Sequence, residues 1–144
     1  VHSGAIETSN VNMAATMVLQ GLGIGRLVGV QPAGRSDMLL GVVRWTQLTG
    51  DGLAAGIQLV AGRPQPVAVR RTGVMATPDT YRRGFLLAPG AANEWPACLV
   101  LPPGSFKAER IMEAWTQIAT RRFKFQKLIE RGADFERVTC IEVA

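Results

Sequence analysis

The sequence predicts a mainly β protein, a barrel or sandwich of short antiparallel strands. Three observations carry that expectation. Residues 38–60, MLLGVVRWTQLTGDGLAAGIQLV, read as two strand arms around a glycine-rich reversal. Short apolar stretches recur along the chain and are cut by Pro and Gly clusters at 32–37, 64–66, 89–90 and 102–104. Near the end, Phe123 and Phe125 alternate with Lys124 and Gln126 at the period of two that a strand requires.

Taken in order, residues 13–19 are small or apolar until Gln20-Gly21-Leu22-Gly23-Ile24-Gly25 interrupts them. Arg26 to Gln31 resumes as a strand. In the hairpin, Leu39, Gly41, Val43 and Trp45 fall on one face, and Leu40, Val42 and Arg44 on the other. Gly50-Asp51-Gly52 supplies the positive φ angles of a tight turn. Pro64 and Pro66 mark its exit, and Val67 to Val69 follows as a short apolar strand. A second block begins near Thr77-Pro78, with strands expected around Phe85-Leu86-Leu87 and from Ala97 to Leu101. Residues 106–119 are ambiguous. Ile111, Trp115, Ile118 and Ala119 fit a helix with Ser105 as its N-cap, while Ile111 and Trp115 also share a strand parity. Phe123, Phe125, Lys127 and Ile129 share one face of the next strand. The last strand runs from Phe135 to Val143, with Val138 and Cys140 opposite Thr139, Ile141 and Val143.

Composition bounds the function. With 47% hydrophobic and 19% charged residues in 144, the chain is expected to fold as one ordinary domain or two very small ones, not to remain disordered. No apolar run reaches the roughly 20 residues that a membrane-spanning helix needs. The Val1 end lacks a positive segment followed by an apolar core, so no signal peptide is expected, and the missing initiator Met points to an excised segment. Cys98 and Cys140 lie in apolar runs and are expected to be reduced core thiols of a cytoplasmic protein. With His2 as the single histidine, a zinc site is not expected.

Sixteen Lys and Arg against eleven Asp and Glu give a net charge of +5, which suits an anionic partner. The doublets Arg70-Arg71, Arg82-Arg83 and Arg121-Arg122 are scattered, however, and read as solvated surface. Gly21 to Gly25 is followed by strand-like residues, so it does not open a helix onto a pyrophosphate. There is no Gly-x-Ser-x-Gly, and no carboxylates pair for acid–base work, so no enzyme is expected. Aromatic and basic residues interleave only at Arg44-Trp45 and at Arg122 to Phe125, a weak basis for stacking single-stranded nucleic acid.

One polar run, Glu7-Thr8-Ser9-Asn10-Val11-Asn12, precedes three motifs in order: Gly25-Arg26-Leu27-Val28, Gly41-Val42-Val43-Arg44-Trp45 and Gly56-Ile57-Gln58-Leu59. Over roughly residues 5 to 70 this resembles the PilZ family of cyclic di-GMP receptor domains. Those domains carry Asp/Asn-x-Ser-x-x-Gly, then Gly-x-Leu-Val, Gly-x-Val-x-Trp and Gly-Ile/Val-x-Leu. The resemblance implies a six-stranded antiparallel barrel over 1–72, followed by a smaller β-rich block over 73–144, packed on the barrel or completing it. It implies a non-enzymatic cytoplasmic regulator that binds cyclic di-GMP, needs no cofactor, and relays occupancy to a protein effector controlling motility, adhesion or a related process. Glu7, Ser9 and Asn12 would meet the nucleotide, with Arg26 and Arg44 as further phosphate contacts.

Two departures weigh on the ligand. The family's upstream Arg-x-x-x-Arg is absent before Glu7, and Glu7 and Asn12 stand where Asp or Asn and Gly are expected. Asn tolerates the left-handed conformation better than other non-Gly residues. The alternatives are a degenerate module of the same type that binds protein without nucleotide, and a basic barrel that binds single-stranded nucleic acid.

Overall fold

The computed structural model describes residues 2–7, 12–17, 23–50, 52–73, 79–91 and 95–144. The expectations placed on Ser9, Asp51 and the Thr77-Pro78 boundary lie outside them. Eleven strands are described: β1 (His2–Glu7), β2 (Asn12–Met17), β3 (Leu27–Pro32), β4 (Leu39–Thr49), β5 (Gly52–Leu59), β6 (Pro64–Arg71), β7 (Arg82–Leu87), β8 (Cys98–Leu101), β9 (Ile111–Trp115), β10 (Thr120–Arg131) and β11 (Glu136–Val143). The mainly β class is as expected. The strands fall into two units, Val1–Arg63 with Gly132–Asp134, and Pro64–Arg131 with Phe135–Ala144.

The first unit is a five-stranded closed sheet in sequence order, antiparallel except where β1 closes onto β5 in parallel. The expected hairpin is β4–β5, with Thr49 opposite Gly52, whose φ is 135°. Its face pattern is not the expected alternation. Leu40, Gly41, Val42 and Val43 are all buried, and residues 44–48 are all exposed. The reason is a bulge: Val43 pairs Ile57 and Trp45 pairs Gly56, which leaves Arg44 as the extra residue.

Two motif glycines are cross-strand seats. A Cβ on Gly56 would lie 1.9 Å from the Trp45 indole nitrogen, so the ring lies directly over the backbone there. A Cβ on Gly41 would lie 2.3 Å from Cγ2 of Ile57, a side chain only 1% exposed. Gly41→Ala is therefore expected to destabilise by about 1–3 kcal/mol through overpacking. Urea unfolding of the full chain measures it, and an unchanged midpoint would show that Ile57 can retreat.

The six-stranded antiparallel barrel is the second unit, in the order β10-β11-β8-β7-β6-β9, with β9 closing onto β10. The expected division after residue 72 assigns β6 to the first block. In the structure β6 pairs β7 and β9, and Val67 and Val69 enter the second unit's core. Pro64 and Pro66 open this strand. Pairing to β9 begins only at Ala68, so neither proline faces a neighbour that needs an N–H donor.

The core holds Val67, Val69, Leu86, Leu99, Leu101, Met112, Ala114, Phe123, Phe125, Val138 and Cys140. Residues 111–115 are a strand, not a helix. Ser105 caps no helix, because its hydroxyl donates to the Pro102 carbonyl at 2.6 Å and Arg110 N returns to Lys107 O. The β9–β10 reversal is tied by Thr116, whose hydroxyl oxygen accepts from the amides of Ile118 and Ala119. On β10 the expected parity holds at Phe123 and Phe125 and then fails. Register shifts between Phe125 and Lys127 and between Leu128 and Glu130 leave Ile129 exposed and turn Leu128 to the core.

Candidate functional site

Backbone register brings most of the predicted residues to one level of the first unit. Glu7 ends β1 opposite Asn12, the first residue of β2. Glu7 also pairs Gly56 on β5, and Gly56 pairs Trp45 on β4, beside the bulged Arg44. Val43 N donates to Arg26 O at 3.0 Å, which places Arg26 across from β4 one residue before Arg44. A single row thus runs Asn12, Glu7, Gly56, Trp45 with Arg44, and then Arg26. Ser9 belongs to the residues connecting Glu7 to Asn12.

The arginine side chains do not converge. Arg44 Nε donates to Gln58 Oε1 at 2.7 Å, and Arg26 folds back against Gly23. Leu27 N, which opens β3, donates to Asp134 Oδ1 at 2.9 Å.

A second polar site lies at one end of the six-stranded barrel, and sequence reasoning missed it. Antiparallel register puts the C-terminal end of β6, the start of β7, the end of β8 and the start of β9 at the same mouth: Val69 pairs Arg82, Arg71 pairs Met112, and Phe85 pairs Val100. A cavity of about 150 Å³ opens there. Its walls include Arg71, Asp79, Arg82 and Arg110, over Val69 and Met112.

Arg71 is fixed by Asp79, with Nε and one terminal nitrogen on the two carboxylate oxygens at 3.1 and 3.2 Å. Those bonds hold the Asp79 carboxyl well below its ordinary value and raise the Arg71 guanidinium. Arg110 donates to the Ser105 carbonyl at 2.8 Å. Strand alternation explains why each doublet splits: Arg71 reaches the mouth, while Arg70 lies outside. There Arg70 stacks 4.5 Å from the Tyr81 ring centroid and bonds Glu113, which also accepts the Tyr81 hydroxyl at 2.6 Å. The Tyr81 bond, followed by the Arg70 charge, holds Glu113 below its usual value.

Beneath the mouth, the buried Glu136 carboxylate accepts from Gly104 N at 2.8 Å and Phe106 N at 2.9 Å, and Arg131 approaches at 3.4 Å. These bonds hold the β8–β9 loop that carries Ser105 to the cavity wall.

Cys98 and Cys140 are free and buried, in line with expectation. Burial, reinforced by the neighbouring Cys98, pushes Cys140 up to about 12, so this thiol stays neutral near pH 7. Phe123 and Phe125 are core residues and offer no stacking platform to bases. Among the described residues there is no group of His, Cys, Asp and Glu that could hold a metal, and no helix long and apolar enough to cross a membrane.

The second unit is thus a closed antiparallel β-barrel domain with a charged mouth. Residues 67–140 match the family model of the FimW C-terminal β-barrel domain, and the chain belongs to that family. The match runs from Val67 in β6 to Cys140 in β11, so the motifs at residues 7–59 lie outside it. No curated protein and no solved structure matches the chain.

Proposed function

We propose that the chain is a non-catalytic regulatory module of the cytoplasm that binds cyclic di-GMP on its first unit and passes occupancy to a protein partner. The observation that carries this reading is the register row of Asn12, Glu7, Arg44 and Arg26, which brings the resemblance-derived residues to one level. Guanidinium groups suit the phosphodiesters, and a carboxylate with hydroxyl neighbours suits a guanine edge. The FimW-type barrel and the two free thiols agree with a bacterial regulator in a reducing compartment.

Isothermal titration of the full chain with cyclic di-GMP is expected to show saturable heat, weakened about tenfold or more in Arg26→Ala through loss of a charge-assisted contact. Heat no larger than buffer mismatch would remove the nucleotide from the proposal.

Glu7 and Asn12, standing in place of a shorter acid and a glycine, favour a second reading: a protein-binding module that has lost the nucleotide. It predicts that a partner is retained after Ser9→Ala and Glu7→Ala, with no response to cyclic di-GMP.

A further inference from the structure

The mouth of the six-stranded barrel carries more positive charge than its own acids balance. Three guanidinium groups, of Arg71, Arg82 and Arg110, and one carboxylate, of Asp79, line the cavity. Asp79 is committed to Arg71 through three bonds, including the Arg71 backbone amide. Arg110 uses one terminal nitrogen on the Ser105 carbonyl, and Arg82 makes no ion pair or side-chain hydrogen bond among the described residues. Glu136 lies beneath the loop, engaged by two amides and Arg131. The lining therefore holds two guanidinium charges that no carboxylate neutralises.

We propose that this mouth is a binding site for the terminal phosphate of a small phosphate monoester. Size selects the group: about 150 Å³ is well under the roughly 300–1,000 Å³ of sites that enclose a drug-sized ligand, but accommodates a tetrahedral oxyanion. Charge selects it further. A monoester near pH 7 carries close to two negative charges, matching Arg82 and Arg110, whereas a carboxylate would leave one of them unmatched. Planar guanidinium forks bind such oxygens two at a time, and Arg71 is already oriented by its carboxylate partner. The apolar floor of Val69 and Met112 keeps water from screening the contact from below.

An internal phosphodiester carries one charge and is substituted on both sides, so cyclic di-GMP does not fit this cavity. The site is thus separate from the one proposed on the first unit.

The test is titration of the full chain with phenyl phosphate at low salt, followed by backbone amide NMR, with inorganic phosphate and diphenyl phosphate as comparison probes. Saturable shifts are expected at Arg82, Gly84, Ser105 and Met112, strongest for phenyl phosphate and weakest for the diester. Arg82→Gln should weaken phenyl phosphate binding about tenfold or more, and Arg82→Lys should restore only part of it. Arg110→Gln supplies an independent check from the opposite wall. Shifts that map elsewhere, or an affinity unchanged in both glutamine variants, would overturn the site. Loss of cyclic di-GMP heat with phenyl phosphate shifts intact would remove only the first-unit reading. Absence of phenyl phosphate shifts with cyclic di-GMP heat intact would remove only this one.

Discussion

Phe125→Ala is expected to lower the stability of the six-stranded barrel by about 3–5 kcal/mol, more than the loss of any single surface contact. Phe125 is 0% exposed and stacks on Phe106, with ring centroids 6.0 Å apart and planes 18° from parallel. It lies among Phe123, Met112, Val138 and Cys140 in the core cluster, on strands paired on both sides. A closed sheet collapses poorly around a lost side chain, so most of the vacated volume persists as a cavity. Chemical denaturation followed by tryptophan fluorescence gives the measurement. Ile118→Ala, at a turn position 92% exposed, is the control and should stay within about 0.5 kcal/mol. A loss under about 1 kcal/mol at Phe125 would mean that the interior is not closed as described.

Glu136→Gln should cost about 2–4 kcal/mol, because two buried backbone donors share one carboxylate and an amide nitrogen cannot accept from either. Burial alone would push this carboxyl up. The bonds from Gly104 N and Phe106 N, with the Arg131 charge, outweigh it and hold the group below its ordinary 4.5. The sign of the pH effect follows. A carboxyl depressed in the folded state contributes its full stabilisation above the unfolded value, and loses it as pH falls through the folded one. Wild-type stability should therefore drop on acidification below about pH 4.5, and Glu136→Gln should flatten that slope. Equal slopes in the two proteins would show that other carboxylates dominate acid unfolding. Phosphate binding at the mouth should also weaken in this variant, since Ser105 sits on the loop that Glu136 ties down.

The hairpin of residues 38–60 was legible because a Gly-rich reversal and two apolar arms are local signals. Its faces were not legible beyond Val43. A bulge at Arg44 is set by the partner strand, where Gly56 receives the Trp45 ring, and no periodicity on one arm reveals it. Residues 111–115 show the same limit. Five residues with Ile111 and Trp115 four apart satisfy helix and strand alike, and pairing with β6 and β10 decides between them. Phe123, Phe125, Val138 and Cys140 were placed correctly, since strong alternation ran uninterrupted through them.

The six-stranded barrel was expected before residue 72 and is built after residue 63, because the resemblance rested on motifs of the first unit. The charged mouth escaped notice for a geometrical reason. Arg71, Arg82 and Arg110 are spread over about forty positions, and only antiparallel register across β6, β7 and β9 brings them to one cavity. Arginine doublets at strand ends were the available signal: alternation must send one member of each pair inward.

Closure of the second unit through β9 also limits how anything can attach to it. Each of its six strands already has a hydrogen-bonded neighbour on both sides, so no sheet edge offers a row of open amides and carbonyls to an incoming strand. Recruitment by strand addition, which depends on such an edge, is closed to this unit. A protein that recognises the barrel must read its side chains and turns. Specificity then rests on the few residues at the strand ends, where substitutions alter the surface and leave the pairing intact.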